Sequence, residues 1–237
     1  MNDCWHRPKI AARSWDSELH LLSDDDPLGG MRPLLDADDA ILGYEPEGFS
    51  DRCWILHALH EGTDRVRWND VLARSGRGLD QWTGNLSFLV FEGKISPPAF
   101  EVPLLGEPDR DSLTRLVEIL ARHSLGGMDT DCYWGQAAIE DLGSPTVARR
   151  GRLREAVELY DACQDPTSGV STQFPAQWWP EDRSWYVLTN WDLNATEVFG
   201  SEELIAAVLA DRRLEAVRHP SIGEVGDEAV GWDGRVT

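Results

Sequence analysis

Apolar positions in the second half of the chain recur at helical spacing. Leu113, Leu116, Val117 and Leu120 fall at i, i+3, i+4 and i+7, which predicts a helix with Asp111 as its N-cap and Gly126-Gly127 as its stop. Leu153, Ala156, Val157 and Tyr160 repeat the spacing, although that run also pairs acceptably as a strand. A third helix is expected behind Ser201 as N-cap, with Glu202 and Glu203 at its positive end and Leu204, Ile205, Val208 and Leu209 buried. Strands are expected from Cys132 to Ile139 and from Ala195 to Phe199, the latter after a turn at Asp192-Leu193-Asn194.

Between these lies the segment from Gln177 to Asp192, which holds four of the chain's eleven Trp residues. It reads as a turn around Trp178-Trp179-Pro180 feeding a strand. Alternation would put Trp185, Val187, Thr189 and Trp191 on one side of that strand and Tyr186, Leu188 and Asn190 on the other. So much ring area is either packed into a core or offered to a partner. In the first case Asp182 and Arg183 satisfy the turn. In the second, Trp178, Trp179, Asp182, Arg183 and Asp192 form a binding site, with one indole exposed beside Arg183.

The first half is less regular. Leu19, Leu21 and Leu22 suit a short helix or an edge segment. Cys53 to His60 is an apolar run bounded by Gly62 and reads as one buried strand, followed by a short helix on Trp68, Val71 and Leu72. Leu86 to Phe91 is a further strand, and Pro97-Pro98, Pro103 and Pro108 mark a linker. Asp51-Arg52-Cys53-Trp54 is echoed 79 residues on by Thr130-Asp131-Cys132-Tyr133, each leading to a Glu.

Together these elements predict an α+β fold with a mainly antiparallel sheet flanked by helices, open to reading as two tandem related units. The divisions would be an N-terminal unit over 1–108, a C-terminal unit over 109–220 and a loose acidic tail over 221–237.

Charge changes the picture more than composition does. Forty-two Asp and Glu stand against 22 Lys and Arg, a formal net charge of −20. Such a field repels nucleic acid and anionic membrane and attracts basic proteins. Asp24, Asp25, Asp26, Asp36, Asp38 and Asp39 would be its densest rim. Only Lys9 and Lys94 are lysines, a bias that resembles coding in a GC-rich bacterium. No apolar run approaches the roughly 20 residues of a membrane span, and Trp5 to Lys9 interrupt any secretory h-region, so a cytoplasmic location is expected. Cys4, Cys53, Cys132 and Cys163 are scattered without C-x-x-C spacing and are read as reduced thiols.

Chemistry-bearing motifs are sparse. His57 and His60 invite a metal reading, but on one strand they point to opposite faces, so no metal site is predicted. The aspartate clusters lack the glycine and terminal Glu of a calcium loop, and Ser75-Gly76-Arg77-Gly78 lacks the spacing and Lys of a phosphate loop. There is no nucleophile elbow, and Asn194-Ala195-Thr196 is a coincidental glycosylation match. Neither a catalytic residue nor a cofactor is predicted.

The run Trp178-Trp179-Pro180-Glu181-Asp182-Arg183-Ser184-Trp185, with Val187, Thr189, Asp192, Thr196, Val198, Gly200-Ser201 and Leu204-Ile205 after it, resembles a segment of a group of uncharacterised cytoplasmic proteins from actinobacteria. Cys132-Tyr133-Trp134 fits the same group, and the likeness covers roughly residues 110 to 220. It departs at Asn190, where the group carries an acidic residue, and at Ala137-Ala138, where it carries an aromatic-glycine pair. The resemblance implies no activity. At fold level the pattern is similar to small immunity proteins of bacterial toxin systems.

The expected function is therefore non-catalytic protein binding, of immunity or regulatory type, with Trp178, Trp179 and Arg183 as anchors and the aspartates steering a basic partner. One alternative is a small enzyme or ligand-binding protein with an inter-unit cleft framed by Asp182, Arg183, Asp192 and His57. Another is a DNA mimic.

Overall fold

The computed structural model describes residues 20–21, 31–35, 41–74, 106, 108–135, 147–164, 174–189 and 194–218. The expected strand at Leu86–Phe91, most of the proline-rich linker, the aspartate clusters at 24–26 and 36–39, Asp192 and the 221–237 tail lie outside them.

The fold is α+β. Its strands are β1 (His20–Leu21), β2 (Met31–Leu35), β3 (Ile41–Pro46), β4 (Asp51–Leu56), β5 (Leu59–Glu61), β6 (Asp64–Val66), β7 (Asp131–Gly135), β8 (Val147–Arg152), β9 (Gln177–Pro180), β10 (Tyr186–Thr189), β11 (Ala195–Gly200) and β12 (Ala216–Val217). Eight of them form one sheet in the order β1-β8-β7-β9-β10-β11-β4-β12, every pairing antiparallel. β2 with β3, and β5 with β6, make separate two-stranded hairpins. The described helices are α1 (Trp68–Arg74), α2 (Arg110–Arg122), α3 (Ala156–Cys163) and α4 (Glu202–Ala210).

Alternation along each strand sorts the apolar residues between two faces. One face carries Cys53, Ile55, Cys132, Trp134, Trp178, Val187 and Val198, and packs on α2, α3 and α4 through Leu116, Leu120, Leu159, Leu204 and Val208. The opposite face carries Trp54 and Leu56, packed on α1 through Trp68, Val71 and Leu72, and next to them Trp179, Tyr186 and Phe199. Trp185 joins the helix side and Leu188 the other, as the expected alternation of that strand requires.

The sheet is continuous across position 108: β4 pairs with β11 over six residues, from Asp51↔Gly200 to Leu56↔Ala195. A buried carboxylate reinforces this join. Glu215 accepts from the backbone N–H groups of Trp68 (2.9 Å) and Asn69 (3.0 Å), satisfying orphan donors at the start of α1.

Three local expectations are corrected. The cap of α2 is Asp109, whose extended backbone lets its carboxylate accept from Ser112 N at 2.9 Å, and Asp111 is an exposed first-turn residue. The run from Cys53 to His60 is two strands, broken at His57-Ala58 where the chain leaves the large sheet for the β5–β6 hairpin. Trp178-Trp179-Pro180 is a strand, and the turn follows it at Glu181–Ser184.

Candidate functional site

Neighbouring strand residues face opposite ways, and this decides the fate of the tryptophan pair. On β9, Trp178 stacks on Trp134 at 5.1 Å and meets Trp185 edge-on at 5.4 Å, under the three helices. Trp179 stacks between Tyr186 (5.2 Å) and Tyr133 (6.0 Å) on the other side. Both indoles are 1% exposed. The expectation of an exposed aromatic platform is therefore corrected: the rings are core, and they cannot grip a partner together from opposite sides of a sheet. Arg183 lies 5.2 Å over the Trp179 ring and closes the ladder at its rim. Its φ of 54° marks the tight turn, in which Arg183 N donates to Pro180 O and Ser184 N donates to the Asp182 carboxylate, both at 3.0 Å. Asp182 and Arg183 thus serve the hairpin.

His57 sits at the break after β4, 1% exposed, with Nε2 3.0 Å from Thr196 Oγ1, which in turn lies 2.9 Å from Thr189 Oγ1. Burial pushes its pKa down to about 3, against a smaller opposing pull from Asp109, so the ring is neutral near pH 7. His57, Ser112, Thr189 and Thr196 share a cavity of about 10 Å³ with Phe174 and Trp178, room for one water. His57 Nδ1 has no hydrogen-bond partner among the described residues. At about 10 Å³ the space holds no more than a water-sized group. His60 stands apart on β5, opposite Arg65.

Among the described residues, His57 does not meet Asp182 and Arg183 in the expected cleft. His57 lines the small cavity, Asp182 and Arg183 line the β9–β10 turn, and Asp192 is outside the described residues. Cys53 and Cys132 are fully buried thiols with pKa values pushed up by desolvation, first, and by nearby carboxylates, which makes them poor nucleophiles.

A concave surface does lie where residues from either side of position 108 meet. A groove of about 520 Å³ runs between the β6–α1 turn, the exposed side of α2 and the turn after α4. Arg65, Arg67, Arg115, Arg212 and Arg213 line it, with Asp111, Thr114 and Glu118. Arg115 is the structural member: its guanidinium bonds both Asp211 and Glu118, holding both carboxyls below their usual range and tying α2 to the turn after α4. Arg213 reaches the same two carboxylates at longer range, 3.4 Å to Glu118 and 3.7 Å to Asp211. Arg65 donates to the Ser112 hydroxyl at 3.3 Å and Arg67 to the Arg212 carbonyl at 2.9 Å. The Arg212 side chain has no hydrogen bond or ion pair among the described residues. Sequence reasoning missed this groove because its arginines come from three distant segments with no motif at any of them.

A second surface feature is a tip beyond α2. Leu125 is 99% and Met128 41% exposed, the two large apolar side chains most open to solvent among the described residues. The tip has a firm base, since Trp185 Nε1 donates to Ser124 Oγ at 2.8 Å and Ser124 Oγ donates to Leu120 O at 2.8 Å.

No family model, curated protein or solved structure matches the chain. Among the described residues no three of His, Cys, Asp or Glu converge on a metal-binding arrangement. No described helix is long and apolar enough to cross a membrane.

Proposed function

We propose that the chain is a non-catalytic protein-binding protein of immunity or regulatory type, acting in the cytoplasm on a basic partner. Charge distribution is the observation that carries this reading. The described residues hold 21 Asp and Glu against 16 Arg, only −5 of the total −20, and the remaining −15 includes the densest clusters, the six aspartates of 24–26 and 36–39. Concentrated charge steers encounter, because at physiological salt a charge acts over only about 8 Å. With the indoles buried, the anchor passes to the Leu125–Met128 tip. Nucleic acid is disfavoured as a direct ligand by the same charge.

The test is affinity purification from the native host at low and high salt, using wild type, a variant with Asp24, Asp25, Asp26, Asp36, Asp38 and Asp39 changed to Asn, and Leu125→Asp. A basic protein retained by wild type should be lost at high salt, lost from the neutralised variant and weakened by Leu125→Asp. Retention indifferent to all three overturns the proposal.

A second reading, a ligand-binding protein with a cleft between the two halves, is favoured by one specific observation. The arginine groove takes Arg65 and Arg67 from before position 108 and its other lining residues from after it.

A further inference from the structure

We infer that the arginine groove binds a small ligand carrying phosphoryl groups, such as a di- or polyphosphate. The inference rests on the ligand-cleft reading and names its ligand class. Five guanidinium groups line the groove beside the carboxylates of Asp111 and Glu118, with Asp211 behind them, a local excess of positive charge on a protein whose total is −20. The excess is not consumed internally. Arg115 occupies Asp211 and Glu118 at short range, leaving Arg213 only the longer approaches to them. Arg65 and Arg67 contact neutral oxygens, and Arg212 contacts none among the described residues.

The arrangement selects its ligand by shape and polarity. Arg65 lies on β6 and Arg67 just before α1, Arg212 and Arg213 lie in the turn after α4, and Arg115 lies on α2. A single planar carboxylate is satisfied by one bidentate fork. Forks approaching from several elements suit a tetrahedral, multiply charged group that presents oxygens in several directions. Among the described residues no aliphatic or aromatic side chain lines the groove, which disfavours ligands with a large apolar body. Its volume of about 520 Å³ falls within the range of about 300–1,000 Å³ usual for small-molecule sites. The overall negative charge opposes approach from a distance, but that repulsion is screened beyond about 8 Å at physiological salt, where the local arginines decide.

Isothermal titration of the full chain with inorganic pyrophosphate, and separately with citrate, tests this. Wild type is compared with Arg65→Ala/Arg212→Ala, with Arg212→Lys, and with Arg150→Ala/Arg154→Ala as a control away from the groove. Arg115 is left intact so that the α2 tie survives, and thermal melting verifies folding. The expected result is saturable pyrophosphate binding, weakened at least tenfold in the double groove variant, weakened less by the lysine, and changed less than twofold in the control. Binding of citrate but not pyrophosphate, dependent on Arg65 and Arg212, overturns the phosphoryl assignment and leaves the cleft reading standing. Binding of neither, or equal weakening by the control pair, overturns both.

Discussion

His57 is held neutral by the protein it helps to build. Its ring is buried against Thr196 and its pKa falls to about 3, whereas in the unfolded chain it titrates near 6.5. The unfolded state therefore binds a proton that the folded state refuses, and stability is lost as pH falls from about 6.5 towards about 3. Within that window the loss approaches about 1.4 kcal/mol per pH unit, or about 2 kcal/mol by pH 5. Urea unfolding across pH should show this slope in wild type and a shallower one in His57→Gln, and equal slopes would assign the acid sensitivity elsewhere. The tryptophans carry a different penalty. Trp178 stacks on Trp134 and abuts Trp185 inside the core, so Trp178→Ala should cost about 3–5 kcal/mol. Leu125→Ala, at a fully exposed site, should stay within about 0.5 kcal/mol of wild type. Comparable losses from the two would show that the indole is not packed as described.

At the level of elements, a side-chain cap settles where α2 begins. Asp109 accepts from Ser112 N with one oxygen and from Ala58 N, at 3.1 Å, with the other, so it both caps α2 and fastens the break after β4 to it. Asp109→Ala should therefore cost about 1–3 kcal/mol by denaturant melting, since it leaves backbone donors unmet, while Asp111→Ala should change little. A reversal of that order would restore Asp111 as the cap. The two-residue error has a physical origin: the apolar spacing locates the helix face, and either aspartate suits the start, but only Asp109 has the extended backbone that a cap needs. Ser201 was legible because it is flanked by Gly200 and two glutamates, and its hydroxyl does accept from Leu204 N. The β10 alternation was legible for the same local reason. β8 was not: Val147–Arg152 carries Arg149, Arg150 and Arg152 and has no apolar period. It is a strand because β7 and β1 pair with its backbone, and Asp131 pairs with Arg150 and Arg152. β9 was misread since its proline and paired indoles look like a turn, whereas antiparallel neighbours on both sides hold it extended.

On the scale of the whole molecule, net charge sets two forces against each other. A total of −20 repels itself and destabilises the compact state, while ion pairs such as Arg110–Asp161 and Arg213–Glu118 support it. Added salt weakens both. The pairs are largely exposed, so each is worth about 0–1 kcal/mol, and they include several arginines that share carboxylates and do not add independently. The repulsion is unshared and falls on the entire chain, although most of it originates outside the described sheet. Its screening should therefore win. Melting temperature at pH 7 is expected to rise by about 3–6 °C between low salt and about 0.3 M NaCl, the shift that about 1–2 kcal/mol produces in a chain of this size. The variant with Asp24, Asp25, Asp26, Asp36, Asp38 and Asp39 changed to Asn should melt higher at low salt and gain less from added NaCl. If instead salt lowers the melting temperature of both proteins, the ion pairs outweigh the self-repulsion of the chain.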